Sequence, residues 1–364
     1  MVEVTRNELA AMRQALELAA SAGVPLGPNP RVGAVLLDQS GEVIATGWHR
    51  GAGTPHAEIV ALEAAGARAR GATAVVTLEP CNHTGRTGPC SQALVDAGVS
   101  RVVFGQSDTH ELAAGGAARL AAAGVVVLGG VLAEEAMALN EVWTFAVTAG
   151  RPFVTWKLAT TLDGRVAASD GTSRWITSAA ARDDAHRLRA EVDAIVVGTG
   201  TVLTDDPHLT VRRNTDGGPT PTPPTPSAPS RGPLRVVVGN RTVPSGSRVL
   251  DDAAPTLLIP LHDPAEVLAK LYALDVQHVL LEGGPTLAGA FVRAKLVDRV
   301  VAYIAPALLG AGASALSNAG ITTIDDALRL NVDDIEQVGS DLRVTSSISH
   351  PSSTHRLDEV CSPA

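Results

Sequence analysis

The chain has 364 residues, 45% hydrophobic and 18% charged, the balance of a folded protein long enough for two domains. Its net charge of −9 and its 3% aromatic content supply neither the cationic face nor the stacking platform of a nucleic-acid binder. Small phosphorylated ligands stay open, since they need only a few local cations and backbone amides.

Residues 7–22 place Leu9, Met12, Leu16 and Ala19 at helical spacing, which predicts one amphipathic helix. Strands are expected at Val32–Leu37 and Val43–Trp48, joined by a turn at Ser40-Gly41. Next come a helix from about Ala57, a strand at Ala74–Leu78 and a helix from about Pro89. A strand at Arg101–Gly105, an Ala-rich helix near 113–123, a strand at Val125–Leu128 and one helix near 133–148 complete the first half. Such alternation predicts a layered α/β domain over residues 1–147.

Gly150-Arg151-Pro152 reads as a helix stop and a domain boundary. A second α/β domain is expected over 151–349, with strands at Phe153–Leu158, Ala194–Gly198, Leu234–Gly239, Thr256–Ile259, His278–Leu281 and Arg299–Ile304. Residues 215–231, rich in Pro, Thr, Ser and Gly, predict a mobile surface loop. Residues 350–364, with Cys361, read as a frayed tail. No run of about 20 apolar residues predicts a membrane span, and the N-terminus lacks the apolar segment of a secretory leader. The other cysteines, Cys81 and Cys90, make no disulfide framework, so a cytoplasmic protein without a membrane partner is expected.

The sharpest motif is His56-Ala57-Glu58, followed by Glu79-Pro80-Cys81 and Gly88-Pro89-Cys90. One His and two Cys can hold zinc while leaving a fourth position for a reacting oxygen. Glu58, two residues from His56, is placed to move protons without being a ligand. Cys90 near a helix start favours the thiolate. His83 as a fourth ligand would instead close the site and make it structural.

Eight residues separate Cys81 from Cys90. This long loop, with its Thr84-Gly85-Arg86-Thr87 core, resembles that of the riboflavin-pathway pyrimidine deaminases, as does Gly27-Pro28-Asn29-Pro30-Arg31-Val32-Gly33. The resemblance implies a cytidine-deaminase-like three-layer fold and catalytic Glu58. It implies Zn2+ on His56, Cys81 and Cys90, the metal activating water against the amine-bearing carbon of a phosphoribosylamino diamino-pyrimidinone. It also implies substrate contacts at Asn29, His49, His83, Arg86 and Asp108. Arg86 suits a phosphate fork, and Asn29 between prolines reads equally as a turn residue. Ser107-Asp108-Thr109-His110 departs from the family: Asp108 matches, His110 replaces an Asn, and Gly115-Gly116 replaces spaced glycines. A protein whose first half has lost its activity is therefore the alternative, with a zinc-stabilised nucleic-acid module opposed by charge and composition.

The second half carries no Gly-x-Gly-x-x-Gly fingerprint, so a Rossmann site has no support. Its motifs are Lys157–Arg165, Ser173–Ser178, Gly200–Pro207 and Glu282–Leu287. In the last, a strand runs through two glycines into a helix with Pro285 in its first turn, which suits an anion. In this order the motifs resemble the riboflavin-pathway reductases, with a dihydrofolate-reductase-like α/β fold. The resemblance implies NADPH at Ala159, Trp175, Thr201, Asp205, Asn240 and Gly284, Pro285, Thr286, Leu287, Ala288, Gly289 and Ala290. It implies substrate contacts at Ser173, Arg189, Leu209, Arg212 and Glu282, and a hydride passed to C1 of the opened ribose. Asp205 and Glu282 are the carboxylates to consider as proton donor. Pairing of copies into a homo-oligomer is implied as well.

Overall fold

The computed structural model describes residues 3–21, 27–83, 88–110, 114–211 and 232–348. Arg86, Arg212, the 215–231 loop and the 350–364 tail lie outside them. The chain divides into two compact units, one built on Met1–Pro152 and one beginning at Phe153.

The first unit is organised on a five-stranded sheet of β1 (Gly33–Leu37), β2 (Val43–Trp48), β3 (Thr73–Leu78), β4 (Arg101–Gln106) and β5 (Val126–Leu128), in the order β2-β1-β3-β4-β5. Successive side chains of a strand point to opposite faces, and both faces here are apolar. Ala34 and Leu36 of β1, with Ala74 and Val76 of β3, meet Ala57, Ala61 and Ala65 of helix α2 (Ala57–Ala65) and Leu94 of α3 (Cys90–Asp96). Val35, Leu37, Val75 and Val103 meet Ala11, Met12 and Ala15 of α1 (Arg6–Ala20). Two helical layers therefore sandwich one sheet, the expected three-layer arrangement. Helix α1 starts on a capping box: Thr5 Oγ1 accepts from Glu8 N at 3.2 Å and the Glu8 carboxylate accepts from Thr5 N at 2.7 Å.

The Ala-rich helix α4 spans Gly116–Ala122. The helix expected near 133–148 is instead two, α5 (Ala133–Leu139) and α6 (Glu141–Ala149), and this corrects the sequence reading. The break is at Asn140, whose side chain accepts from Arg31 N at 2.8 Å and donates to Arg31 O at 3.0 Å. An asparagine that satisfies a distant backbone segment competes with the helical ladder.

The second unit carries an eight-stranded sheet in the order β12-β13-β11-β6-β10-β7-β8-β9. Its elements are β6 (Phe153–Thr161), α7 (Ala179–Ala190), β7 (Ala194–Gly198), α8 (Thr199–Asp205), β8 (Leu234–Val238), β9 (Thr256–Ile259), α9 (Pro264–Tyr272), β10 (His278–Gly283), α10 (Pro285–Arg293), β11 (Arg299–Ala305), β12 (Asn331–Val338) and β13 (Asp341–Ser347). Strands β10, β7, β8 and β9 run parallel, and β7 and β8 are largely apolar, as expected of strands covered on both faces, with Arg235 of β8 the exception. Strands β12 and β13 form an antiparallel hairpin at one edge. The sequence reading did not anticipate them, because seven of the eight β12 positions face solvent and carry a mixed polar pattern. Among the described residues no helix is long and apolar enough to cross a membrane.

Candidate active sites

In the first unit two helix starts converge on the end of β3. His56 is the N-cap of α2, Glu58 lies in its first turn, and Cys90 is the first residue of α3. Cys81 follows β3 after Glu79-Pro80. His56 Nδ1 lies 3.2 Å from Cys90 Sγ and 3.7 Å from Cys81 Sγ. All three ligand atoms fall within 4.8 Å of one another. A tetrahedral zinc, about 2.0 Å from nitrogen and 2.3 Å from sulfur, spaces its ligand atoms by about 3.5–3.8 Å, so the trio fits the ion. Among the described residues the ligand set is these three, and His83 stays outside it.

The electrostatics suit a cation. The Cys90 thiol and His56 both donate toward Cys81 Sγ, which lowers the Cys81 thiol far below its ordinary range despite burial. The hydrogen bond to Cys81 in turn raises His56. Glu58 is 4% exposed and its Oε2 has no partner. Burial raises its carboxyl, and an orphaned buried oxygen is costly unless a ligand supplies a proton to it.

Asn29, His49, His56, Glu58, His83 and Asp108 line one cavity. Asn29 Nδ2 donates to His49 Nε2 at 2.9 Å, and His49 Nδ1 donates to Pro55 O at 3.1 Å. Burial lowers the His49 pKa, which agrees with this neutral tautomer. Both His49 nitrogens are thereby engaged, so the ring acts as a fixed wall. Asp108 accepts from His110 N at 2.9 Å, and the Nδ1 atoms of His83 and His110 are buried without a partner.

The sequence motifs include Glu79 and Gly115-Gly116 without showing what they do. Glu79 bridges the loops behind Cys81, accepting from Asp108 N at 3.3 Å and Ala117 N at 2.9 Å. Gly115 is left-handed (φ 93°) as the N-cap of α4, and a Cβ at Gly116 would overlap the Pro80 carbonyl. The glycine pair was the available signal.

In the second unit, Arg189 and Glu282 form a two-pronged pair, Nε to Oε1 at 2.5 Å and Nη2 to Oε2 at 2.7 Å. Arg189 Nη1 also donates to Thr210 O at 3.1 Å. Although burial opposes ionisation, Arg189 holds the Glu282 carboxyl down to about 2. The two-pronged pairing with Arg189 favours the ionised form of Glu282. Lys157 on β6 feels both charges; burial lowers its pKa and Glu282 opposes that shift. It lies in the Lys157–Arg165 motif, yet its placement depends on the β6–β10 neighbourhood, which sequence does not display.

The expected NADPH residues lie on β6 (Ala159), before α7 (Trp175), on α8 (Thr201 and Asp205), just after β8 (Asn240) and on the first turns of α10 with its cap (Gly284–Ala290). Gly284 caps α10, Pro285 opens it, and a Cβ at Gly284 would touch Thr201 Oγ1 at 3.4 Å. A Cβ at Gly200 would stand 2.5 Å from the Arg241 guanidinium. Gly284 as N-cap leaves free backbone N–H groups at the start of α10, and the Arg241 guanidinium stands beside Gly200 of α8, donors of the kind a phosphate takes. Arg174 donates to Asp205 O at 2.5 Å, and burial raises the Asp205 carboxyl. Trp175 is 68% exposed, with the Arg182 guanidinium 4.4 Å from its ring centroid. Ala159 and Ser173 are half-buried, Asn240 is exposed at the end of β8, and Leu209 is buried. Within α10, Ala288 is buried and a Cβ at Gly289 would overlap the Ser317 carbonyl.

Residues 152–344 match the family model for the RibD C-terminal domain. Residues 5–106 match the cytidine and deoxycytidylate deaminase zinc-binding region. The chain is 52% identical over 317 residues to the riboflavin biosynthesis protein RibD of Mycobacterium tuberculosis, covering 86% of this chain and 90% of that protein. A solved structure of Acinetobacter baumannii RibD is similar with a TM-score of 0.84 and 35% identity, covering 95% of this chain and 99% of that one. A Thermotoga maritima structure, described as a diaminohydroxyphosphoribosylaminopyrimidine deaminase/5-amino-6-(5-phosphoribosylamino)uracil reductase, gives 0.81 and 32%, covering 94% of this chain and 99% of that one.

Proposed function

The chain belongs to the RibD family of riboflavin-biosynthesis proteins, and from that premise we propose that its two halves act in succession on one phosphorylated pyrimidine. A zinc-binding deaminase region and a RibD reductase region are both present. The first substrate is 2,5-diamino-6-(5-phosphoribosylamino)pyrimidin-4(3H)-one. The observation that carries this reading is the His56, Cys81 and Cys90 trio with the unpartnered Glu58 Oε2 beside it.

Zinc, when bound by that trio, supplies the Lewis acid that makes water a nucleophile at neutral pH. Glu58 moves protons between the water, the ring nitrogen and the departing amine, a role suited to a carboxyl that burial has raised. His49, locked by Asn29 and Pro55, bounds the ring's site. Asn29, His83, Asp108 and Arg86 contact the ribosyl phosphate or base.

NADPH, when bound at Ala159, Trp175, Thr201, Asp205, Asn240 and Gly284–Ala290, supplies the hydride for C1 of the opened ribose. Arg189, Leu209, Ser173, Arg212 and Glu282 orient the substrate. Lys157, on β6 beside β10, which carries Glu282, is the side chain assigned to protonate the ribose oxygen that hydride addition at C1 leaves negative. The protein's contribution here is alignment.

The zinc ligands include thiolates, which a reducing cytoplasm preserves, and assembly as a homo-oligomer belongs to the same reading. Mass analysis of products tests the function. Without NADPH the aminouracil with an intact ribosyl group should accumulate, and with NADPH its ribityl form. Recovery of the diamino compound unchanged would overturn the proposal.

A further inference from the structure

Arg235 is the largest fully buried side chain among the described residues, 0% exposed on β8 of the parallel sheet. A buried cation in a sheet is costly, and an apolar side chain of similar volume often serves stability as well. What distinguishes Arg235 is what it holds. Nη1 donates to Asp251 Oδ1 at 2.7 Å, to His208 O at 3.3 Å and to Arg248 O at 3.4 Å. Nη2 donates to the carbonyls of Asp251 and Ala254.

The bond to His208 O reaches a segment with unusual backbone. Asp206 and Leu209 both adopt positive φ, 43° and 51°. A leucine in the left-handed region is rare, and such residues persist when their surroundings over-determine them. That is the case for 206–210. Asp206 accepts from Arg248 N at 2.8 Å and Arg248 Nε at 3.0 Å, and His208 Nδ1 lies 3.1 Å from Asp251 Oδ2. From the other side Arg189, already bound to Glu282, takes Thr210 O at 3.1 Å. Leu209, 2% exposed, lies between these fastenings.

We propose that Arg235 is a positioning residue for the reductase substrate: with Asp251 it fixes the Asp206–Thr210 backbone whose far end is tied to the Arg189–Glu282 pair. The inference rests on the reading that Leu209 and Arg189 contact the deaminated phosphoribosylamino pyrimidine. Arg235 touches neither substrate nor NADPH. It acts through the carbonyl of His208 and the loop at 248–254, so its removal should loosen substrate binding and leave cofactor binding alone.

The test is steady-state kinetics of the full-length Arg235→Met and Arg235→Lys variants on the deaminated substrate with NADPH. A small misplacement of binding groups predicts a substrate KM raised about ten-fold in Arg235→Met, with little change in kcat or in the NADPH KM. Arg235→Lys, which keeps a donor at the site, should recover part of the loss. A purely structural role would lower the melting temperature and leave the substrate KM in place, and that result overturns the proposal. Should Arg235→Met fail to fold, Asp251→Asn, at a side chain 37% exposed, takes its place, and an unchanged substrate KM there overturns it equally. A wild-type protein that oxidises no NADPH with this substrate refutes the underlying reading. Wild-type turnover with variant KM values like its own refutes this proposal alone.

Discussion

Gly116 lies directly against the carbonyl of Pro80, so close that a Cβ there would overlap the oxygen. Pro80 precedes the zinc-site Cys81, and Gly116 opens α4, so one glycine sets how near that helix stands to the metal loop. Gly116→Ala should destabilise the first unit by about 1–3 kcal/mol, the usual cost of overpacking. It should also lower zinc content and ammonia release. Metal analysis with thermal unfolding checks this, and full zinc occupancy with wild-type deamination would show that the loop shifts freely.

Glu58→Gln should keep zinc and lose ammonia release by about 10²–10⁴-fold, the usual contribution of a positioned general acid–base. The amide preserves shape while removing the group that titrates. Loss of zinc from this variant would make Glu58 a ligand and contradict the assignment.

Both experiments probe residues that were legible to different degrees. His56, Glu58, Cys81 and Cys90 stand out in sequence because metal and proton chemistry admit few residue types. The alternating faces of β1 and β3 follow from local pattern alone. Gly116, Glu79 and Lys157 stand in motifs visible in the sequence, but what they do depends on Pro80, Ala117 and Glu282, 36 to 125 positions away, and Arg235 carries no motif at all. Asn140 shows the same limit for the fold. The 133–148 stretch reads as one helix until Arg31, 109 residues away, takes the asparagine side chain.

Lys157→Met should slow hydride transfer by about 10²–10⁴-fold with little effect on NADPH affinity. Single-turnover absorbance of NADPH on the deaminated substrate measures it. An unchanged transfer rate would place the proton donor elsewhere, Asp205 being the carboxyl that burial has raised.

Glu282 ties pH to stability. Its folded pKa is about 2 against an ordinary 4.5, so its stabilising contribution is present above about pH 4.5 and fades as pH falls toward 2. Breaking this largely buried pair with Glu282→Gln should cost about 3 kcal/mol near neutrality. The gap in melting temperature between wild type and variant should then close as the medium is acidified below pH 4.5. A gap that widens in acid would reverse the sign and exclude the pair as its source.

The most direct test is a coupled assay on the phosphoribosylamino diamino-pyrimidinone, recording ammonia release and NADPH oxidation separately in one reaction. Both signals should appear, ammonia first, converging to one NADPH oxidised per ammonia released. NADPH oxidation on a pre-deaminated substrate, with no ammonia from the diamino compound, would contradict it and leave the His56–Cys81–Cys90 site without its assigned chemistry.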